Sequence, residues 1–468
     1  MPTVAETVTL DAGPEQAAGG PAGTRRSLRR ASSSAATRWA VFVAVLVATV
    51  LQPTGRFLFD AYGYWAASGA LIGGDAPVPE GFWDLRGVAS AVVYVPAQLL
   101  TVLLGPDASG MAVLLQNALL LAAAAAFLVP ALVRPWSTLS PAAHGVAAAA
   151  FWFAARGFAP YPLMDLPVAL AVMLAAYLLY SGKWLRLLAA GLILGVAFNI
   201  RPAYLVPLAL VLLVVAWYHR LRTVAVLAGA ALALVPQAVY LMASGFGFGI
   251  VPVQGTALIG LQTSYAAYTV RYDTALTSSM PQQFFCSPDM ASSMTEAPLS
   301  LPALAHTFAT SLPQSLVFAV EKVGAALHWP LSIPYLVPYP GVNAFNAVLV
   351  TSVAVAGAVV LLARRPTPEN RGGPAHMLVA ALVVGTTATL VSSATEARFA
   401  LPLVLLAASG TGVLVDRPPR WRASRAERVV PVVGVVVVVL LLCAGWAGLA
   451  HPAPPGGVTL ETCAQLNP

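Results

Sequence analysis

The stretch RWAVFVAVLVATVLQPTGRFLFDAYGYW, residues 38–65, indicates what class of protein this chain belongs to. Its first part is an apolar run that begins beside Arg38, and its second part places one acid, Asp60, among aromatic side chains. A helix needs about 20 apolar residues to cross a bilayer, and a shorter run manages when it is tilted or flanked by cations. We therefore interpret the run as a membrane-crossing helix that ends in a polar, aromatic segment.

The rest of the chain has a matching composition. Of its 468 residues, 59% are hydrophobic and 9% are charged, whereas a soluble domain carries roughly 25% charged residues. A soluble globular protein is thereby excluded, and the net charge of +7 has to be read from its distribution along the chain rather than as a nucleic-acid footprint. The sequence predicts an all-α polytopic membrane protein.

Apolar segments of suitable length recur along the chain. About eleven transmembrane helices are predicted, over residues 38–55, 111–133, 141–155, 163–181, 187–200, 202–218, 223–243, 343–362, 374–392, 400–415 and 429–449. With the N-terminus in the cytoplasm, most of the 25 Lys and Arg residues fall on the inner side, as the positive-inside rule requires. The prediction is a multi-pass protein of the plasma (cell) membrane, with an extracytoplasmic C-terminus.

This topology divides the chain into three regions. They are a disordered cytoplasmic tail (1–37), a multi-span domain (38–449) with long outer loops at 56–110 and 244–342, and an extracytoplasmic tail (450–468). The cytoplasmic tail contains RRSLRR at 25–30 and is too polar for a cleavable signal.

Two further apolar stretches, 88–104 and 313–330, contain polar or charged residues such as Gln98 and Lys322. We predict that both lie on the outer surface as amphipathic helices. The alternative is that both cross the membrane as a pair, which would invert the topology between them and place most of the basic loops outside.

Charged side chains at the outer ends of separate spans are the candidate functional residues. Asp60 opens the first outer loop, Asp165 begins a later span, Arg201 lies at an outer turn, and Glu396 and Arg398 share another. Each has a structural alternative, since a lone Arg can snorkel to the headgroups, an Asp can cap a helix, and Glu396 and Arg398 can pair locally. Charges at the hydrocarbon edge cost free energy unless they are solvated, paired with an opposite charge or required for function. The grouping of these residues on one face therefore favours a functional site.

The order of these features resembles the GT-C superfamily of membrane glycosyltransferases, which includes the protein O-mannosyltransferases and the lipid A aminoarabinose transferases. FDAYGYW (59–65) resembles the family's signature acid in the first outer loop, AAGLILGVAFNIRPAYLVP (189–207) its Gly-rich span, and EARFALP (396–402) its late Glu-x-Arg-Tyr turn. The likeness covers roughly 40–415 through short motifs. A strict Asp-x-Asp or Glu-x-Asp pair is absent, because positions 58 and 62 are Leu58 and Tyr62; the need for a divalent cation, Mg²⁺ or Mn²⁺, therefore stays open.

The resemblance implies transfer of a sugar from a polyprenyl-phosphate donor to an acceptor on the outer face, either a glycan, a lipid or a protein. A carboxylate takes the proton of the attacking hydroxyl, and guanidinium groups stabilise the leaving phosphate. The residues carried over are Asp60 and Asp165 as catalytic acids, Arg201, Arg398 and Glu396 at the donor phosphate, and Tyr62 and Tyr64 against the sugar, with Arg56 and Arg86 as weaker candidates for the phosphate.

Two other classes of membrane protein share this hydropathy. A transporter or flippase would need polar groups at mid-membrane depth, where this chain offers a few uncharged side chains, Gln116, Asn117, Asn199 and Gln237. A ligase that joins preformed lipid-linked glycans would also act outside, but it gives no reason for an acid directly after the first span.

Two cysteines, Cys286 and Cys463, both fall in segments predicted to be outside. That compartment permits disulfides, so a bridge between the tail and the second outer loop and a pair of free thiols both stay open.

Overall fold

The fold is almost entirely helical. The computed structural model describes residues 22–274, 282–329, 334–335, 340–370, 373–416, 425–454 and 458–466. Its helices are α1 (Ala22–Val50), α2 (Phe59–Ala70), α3 (Phe82–Leu85), α4 (Ala89–Val92), α5 (Val95–Leu104), α6 (Ser109–Ala123), α7 (Val129–Val133), α8 (Pro141–Ala155), α9 (Asp165–Leu179), α10 (Trp184–Ile200), α11 (Leu205–His219), α12 (Thr223–Ala243), α13 (Gly255–Ala266), α14 (Pro288–Ser292), α15 (Leu301–Thr310), α16 (Leu312–Leu327), α17 (Pro340–Ala363), α18 (Ala375–Ser392), α19 (Leu401–Asp416), α20 (Arg425–Gly448) and α21 (Leu460–Ala464).

Every one of the predicted spans coincides with a helix, but they differ in length. Within the described residues, six segments are long and apolar enough to cross a membrane: Pro106–Val133, Pro202–Ala243, Ala344–Ala363, Ala375–Ser392, Ala397–Asp416 and Val429–Gly448. Pro202–Ala243 holds two predicted spans, separated at Arg220, where the backbone turns at φ 48°. Three predicted spans match shorter apolar helices, Ala35–Val50, Asp165–Leu179 and Trp184–Ile200. The structure is thus an all-α membrane protein, and the count of eleven crossings stays a prediction.

The first helix starts earlier than the sequence predicts. Residues 1–21 of the predicted disordered tail lie outside the described residues, but α1 begins at Ala22, so residues 22–37 are helical rather than disordered. Ala and Arg are good helix formers, and a helix already formed by the apolar run extends into them without a new nucleation step.

The two stretches predicted as surface helices are helical. The first is divided into α4 and α5, with Pro96 in the first turn of α5, where a missing N–H costs nothing. The second is α16. Both carry exposed apolar side chains, such as Leu103 on α5 and Leu316 on α16, as amphipathic helices do.

A small extended layer lies between α13 and α14. Strands β1 (Thr269–Thr274) and β2 (Gln282–Cys286) pair antiparallel. The C-terminal tail adds to β2, because the Cys286 N–H donates to the His451 carbonyl at 2.8 Å and the Ala453 N–H donates to the Phe284 carbonyl at 2.8 Å. A disulfide joins Cys286 to Cys463, which settles the question that the sequence left open and ties the tail to the second long loop.

Candidate functional site

Asp60 is the second residue of α2, directly after the loop that leaves α1. The preceding residue, Phe59, has φ 49°, a left-handed conformation that is unfavourable for a bulky side chain. Strain of this kind persists only where the surroundings impose it, and it is commonest at functional sites. The Asp60 side chain is 32% exposed, so it is within reach of a ligand.

Two arginines from distant parts of the chain hold the Asp60 carboxylate. Arg86, which ends the short helix α3, donates from Nη2 to Oδ1 at 2.9 Å. Arg398, in the turn between α18 and α19, donates from Nη2 to Oδ2 at 3.2 Å. The Arg86 side chain is 28% exposed and that of Arg398 is 7% exposed. Of the two arginines, Arg86 is therefore the more exposed, and Arg398 lies deeper in the protein.

A second ion pair lies behind Arg398. Asp165 is the first residue of α9 and its side chain is 1% exposed. Its Oδ1 is 2.9 Å from Nη1 of Arg201, and its Oδ2 is 3.9 Å from Nη1 of Arg398. Neither carboxylate oxygen has a hydrogen-bond partner of good geometry among the described residues. The Arg201 guanidinium also lies over the Phe399 ring at 4.8 Å. Asp165 thus balances the charge of two buried guanidinium groups.

The turn that carries Glu396 and Arg398 is anchored on several sides. Glu396 pairs with Nε of Arg398, and its Oε1 accepts a hydrogen bond from Oγ1 of Thr274 at 2.7 Å. The Tyr272 N–H of β1 donates to the Thr395 carbonyl at 2.8 Å. The fully buried Lys322 of α16 donates from Nζ to the Ser393 carbonyl at 2.8 Å. These contacts fix the direction of the Arg398 side chain.

The cluster as a whole balances its own charge. Its three carboxylates belong to Asp60, Asp165 and Glu396, and its three guanidinium groups belong to Arg86, Arg201 and Arg398. Buried charges are tolerated when they are paired in this way. Burial raises the pKa of Asp60, but the nearby Arg86, Arg398 and Arg201 outweigh it and lower that pKa to about 2. Asp60 is therefore ionised at neutral pH.

A cavity of about 470 Å³ opens beside Asp60. It is lined by Phe57, Leu58, Phe59, Asp60, Tyr62, Gly63, Pro79, Glu80, Phe82, Leu85 and Arg86. The charged groups in this lining are Asp60, Glu80 and Arg86, and most of the other side chains are apolar. The cavity therefore combines one cation and two carboxylates with an apolar wall.

Several residues predicted for the site do not line this cavity. Arg201, Glu396 and Arg398 lie behind Asp60, and Asp165 is buried with them. The contact of Arg201, Arg398 and Glu396 with a donor phosphate stays a prediction. Each of the three is already engaged by an opposite charge within the cluster. They support Asp60 from behind.

The two tyrosines predicted to contact the sugar have different positions. Tyr62 lines the cavity, and its hydroxyl donates to the Pro77 carbonyl at 3.1 Å. Tyr64 is buried, with its ring packed edge-on against Phe82 and 5.7 Å below the Arg86 guanidinium. Only Tyr62 is therefore placed to touch a ligand, because α2 turns the side chain two residues further on into the core.

The acids of the cluster do not form a divalent-cation site. Within the described residues, no group of three or more His, Cys, Asp and Glu side chains is placed to hold a metal ion. Asp60 and Asp165 face guanidinium groups rather than other carboxylates. Mg²⁺ and Mn²⁺ prefer several oxygen ligands, so these residues do not fit such an ion.

The sequence indicates Arg86 only as a weaker candidate, although it pairs directly with Asp60, and it gives no sign that Thr274 and Lys322 contact the turn of Arg398. Arg86 follows FWDL (82–85), and a cation next to aromatic residues in an outer loop was the available signal. Thr274 and Lys322 reach the site through tertiary contacts between segments far apart in sequence, so no local pattern marks them.

Comparison of the chain with protein families, with curated proteins and with solved structures finds no match. The protein is an all-α membrane protein with a charge-balanced cluster of acids and arginines beside a largely apolar cavity.

Proposed function

We propose that the protein is an integral membrane glycosyltransferase of GT-C type, which moves a sugar from a polyprenyl-phosphate donor to an acceptor on the extracytoplasmic face of the cell membrane. One observation carries the proposal: Asp60 and Arg86 form an ion pair at the wall of an apolar cavity, directly after the first predicted span. The cavity supplies a base, a cation for a phosphate and an apolar surface for a lipid chain. The acceptor class stays open among glycans, lipids and proteins.

Eleven crossings, with the N-terminus in the cytoplasm and the C-terminus outside, are part of the proposal. Contacts among helix ends support it. Asp60, Asp165, Arg201 and Arg398, from ends predicted to be outer, meet in one cluster. Loops predicted to be inner also meet, since Asp416 accepts a hydrogen bond from the Ser140 hydroxyl at 2.6 Å. The bridged cysteines both belong to predicted outer segments.

The proposed chemical step is a direct displacement. The acceptor oxygen attacks the anomeric carbon, the bond from that carbon to the phosphate oxygen breaks, and polyprenyl phosphate leaves with the electron pair. The acceptor hydroxyl proton passes to the Asp60 carboxylate. A carboxylate contributes to such a step when it lies within hydrogen-bond reach of the hydroxyl, and the partly exposed Asp60 is the acid of the cluster that faces the cavity together with its cation.

Arg86 couples the binding of the sugar donor to the basicity of Asp60. Without a bound donor, the Asp60 carboxylate has a pKa of about 2 and is a weak base. General bases work best when their pKa lies near the working pH. A phosphate in the cavity competes with Asp60 for the Arg86 guanidinium, which binds phosphate oxygens in a bidentate manner. Asp60 then loses one of its cations, so its pKa rises when the donor is in place.

The other cluster members keep Asp60 in position. Arg398 continues to hold the Asp60 carboxylate when Arg86 turns to the phosphate. Asp165 and Glu396 hold Arg398, and Arg201 pairs with Asp165. We therefore assign Asp165 a positioning role and give Arg86 the contact with the donor phosphate. This assignment differs from the resemblance, which put Arg201 and Arg398 at the phosphate.

A transporter has less support. The uncharged polar side chains that a mid-membrane path would use are engaged with loop backbone. Gln116 donates to the Val93 carbonyl at 2.8 Å, and Asn117 donates to the Ala159 carbonyl at 2.9 Å. The first contact joins α6 to the first long loop, and the second joins α6 to the segment that follows α8.

Transfer from a radiolabelled polyprenyl-phosphate sugar tests the proposal. Membranes containing the wild type, Asp60→Asn or Asp75→Asn are compared, since Asp75 is an exposed acid of the same loop that does not line the cavity. We expect transfer in the wild type and in Asp75→Asn, and its loss in Asp60→Asn at unchanged protein level. Normal transfer in Asp60→Asn would remove the central claim. A parallel set with a chelator reports whether a metal ion takes part.

A further inference from the structure

Two amide side chains bind the backbone that directly follows Arg86. The Val88 N–H donates to Oε1 of Gln237 at 3.0 Å, and the Ala89 N–H donates to Oδ1 of Asn199 at 3.0 Å. The two amides are also joined to each other, because Nδ2 of Asn199 donates to Oε1 of Gln237 at 3.1 Å. Asn199 belongs to α10 and Gln237 to α12, and both are almost completely buried. One network therefore connects two membrane helices with the loop.

The loop lies directly against the end of α10. A Cβ atom at Gly87 would be 2.0 Å from the Asn199 carbonyl oxygen and 2.4 Å from its Oδ1, so the position accepts glycine and no larger residue. The two helices also pack closely on each other, since a Cβ atom at Gly191 would be 2.0 Å from the Val226 carbonyl oxygen. Close backbone packing of this kind leaves little freedom to either helix. The two amide side chains therefore belong to helices that are tightly packed and have little freedom to move.

Burial of two amides in apolar helices requires a reason. A leucine at either position would gain more from burial, whereas a buried amide costs free energy unless it is hydrogen-bonded. The two amides instead satisfy the N–H groups of Val88 and Ala89, which lie in a partly buried part of the loop. Oε1 of Gln237 accepts hydrogen bonds from the Val88 N–H and from Nδ2 of Asn199, so this position needs an acceptor. The backbone after Arg86 is therefore held by these two side chains.

We propose that Asn199 and Gln237 are positioning residues that fix Arg86 against Asp60. The Arg86 N–H is held on its other side by the Phe82 carbonyl at 2.9 Å, and its guanidinium reaches Oδ1 of Asp60 at 2.9 Å. An arginine side chain has many rotamers, so a fixed backbone lowers the entropy cost of placing its guanidinium against Asp60. The positioning stands on this geometry, and its consequence for the sugar donor rests on the proposed function.

The reactivity of Arg86 towards phenylglyoxal tests the proposal without any substrate. Modification of the full-length protein in nanodiscs is followed at Arg86 by peptide mass spectrometry. Gln237→Met removes the acceptor oxygen at similar volume, and Gln237→Glu retains an acceptor. We expect Gln237→Met to raise the rate at Arg86 about fivefold, the population change that one lost hydrogen bond produces. Gln237→Glu should react like the wild type.

Arg156 serves as the control within the same samples, because its guanidinium lies over the rings of Trp152 and Phe153, away from the two amides. An unchanged Arg86 rate in Gln237→Met overturns the proposal. An equal rise in the modification rate of Arg156 would show that the substitution loosens the whole protein. It would also overturn the proposal that Gln237 positions Arg86 locally. Asn199→Leu removes the other acceptor, and it carries the same test where Gln237→Met does not accumulate.

Undecaprenyl phosphate, added to the same samples, separates this proposal from the proposed function. Protection of Arg86 in the wild type, with weaker protection in Gln237→Met, supports both. An effect of Gln237→Met on Arg86 without protection by the lipid in any sample supports the positioning role and contradicts the assignment of Arg86 to the donor phosphate.

Discussion

Asp165 and Asp60 should respond in opposite ways to the same chemical change. Asp165→Asn removes a carboxylate that is 1% exposed and leaves the guanidinium of Arg201, which is 12% exposed, without its ion pair. Asp60→Asn removes a carboxylate that is 32% exposed, and Arg398 retains Glu396 and Asp165 as partners. The first change should therefore destabilise the protein, and the second should abolish transfer while leaving stability almost unchanged.

The magnitudes follow from burial. Removal of one partner from a buried ion pair costs about 3–5 kcal/mol, because the remaining charge is left in a poorly solvated position. A partly exposed pair is worth about 1 kcal/mol or less, since water screens it. We therefore expect Asp165→Asn to be the more destabilising variant by about 3 kcal/mol.

Thermal unfolding in detergent, followed by intrinsic fluorescence at one heating rate, checks this order. Arg201→Met in the Asp165→Asn background removes the stranded cation, so the double variant should recover part of the lost stability, as coupling in a double-mutant cycle. Equal apparent melting temperatures for Asp165→Asn and Asp60→Asn would refute the reasoning. So would an additive loss in the double variant, because it would mean that the two side chains do not compensate each other.

Two further changes test the strained and the buried parts of the site. Phe59→Gly should be more stable than Phe59→Ala by about 1 kcal/mol, because both lose the ring but glycine adopts φ 49° readily; equal unfolding temperatures would contradict this. Burial lowers the pKa of Lys322, on a helix outside the candidate membrane segments, from 10.5 to about 7. The unfolded chain then holds more protons between these values, so stability should rise as the pH rises from 7 towards 10.5. Lys322→Met should flatten this rise in a pH series of unfolding temperatures; an unchanged slope would show that other groups cause it.

The positions of the helices could be predicted from the sequence, because a membrane helix satisfies its backbone hydrogen bonds within its own segment and leaves an apolar run as its signal. Each predicted span coincides with a helix over most of its length, and helices α4, α5 and α16 lie in the stretches at 88–104 and 313–330. The beginning of the first helix was predicted less well. Its polar residues from Ala22 onward carry no hydropathy signal, yet they continue the helix.

The candidate site could be predicted in part. The sequence indicates Asp60, Asp165, Arg201 and Arg398 because charges at helix ends cost free energy unless they are paired or functional, and these residues do come together. Which of them faces the cavity was beyond the reach of the sequence. Exposure depends on how helices far apart in the chain are packed, and this packing leaves Asp60 and Arg86 accessible and covers the rest.

The sequence alone determined the helical class, the apolar segments and the acid that follows the first of them, since these depend on local composition and spacing. The packing of the helices and loops establishes that Arg86 is the partner of Asp60 at the cavity, that Asn199 and Gln237 hold the loop behind it, and that Cys286 is bonded to Cys463. The physical reason is that ion pairs, side-chain hydrogen bonds and disulfides depend on distances between residues that the chain brings together only when it is packed.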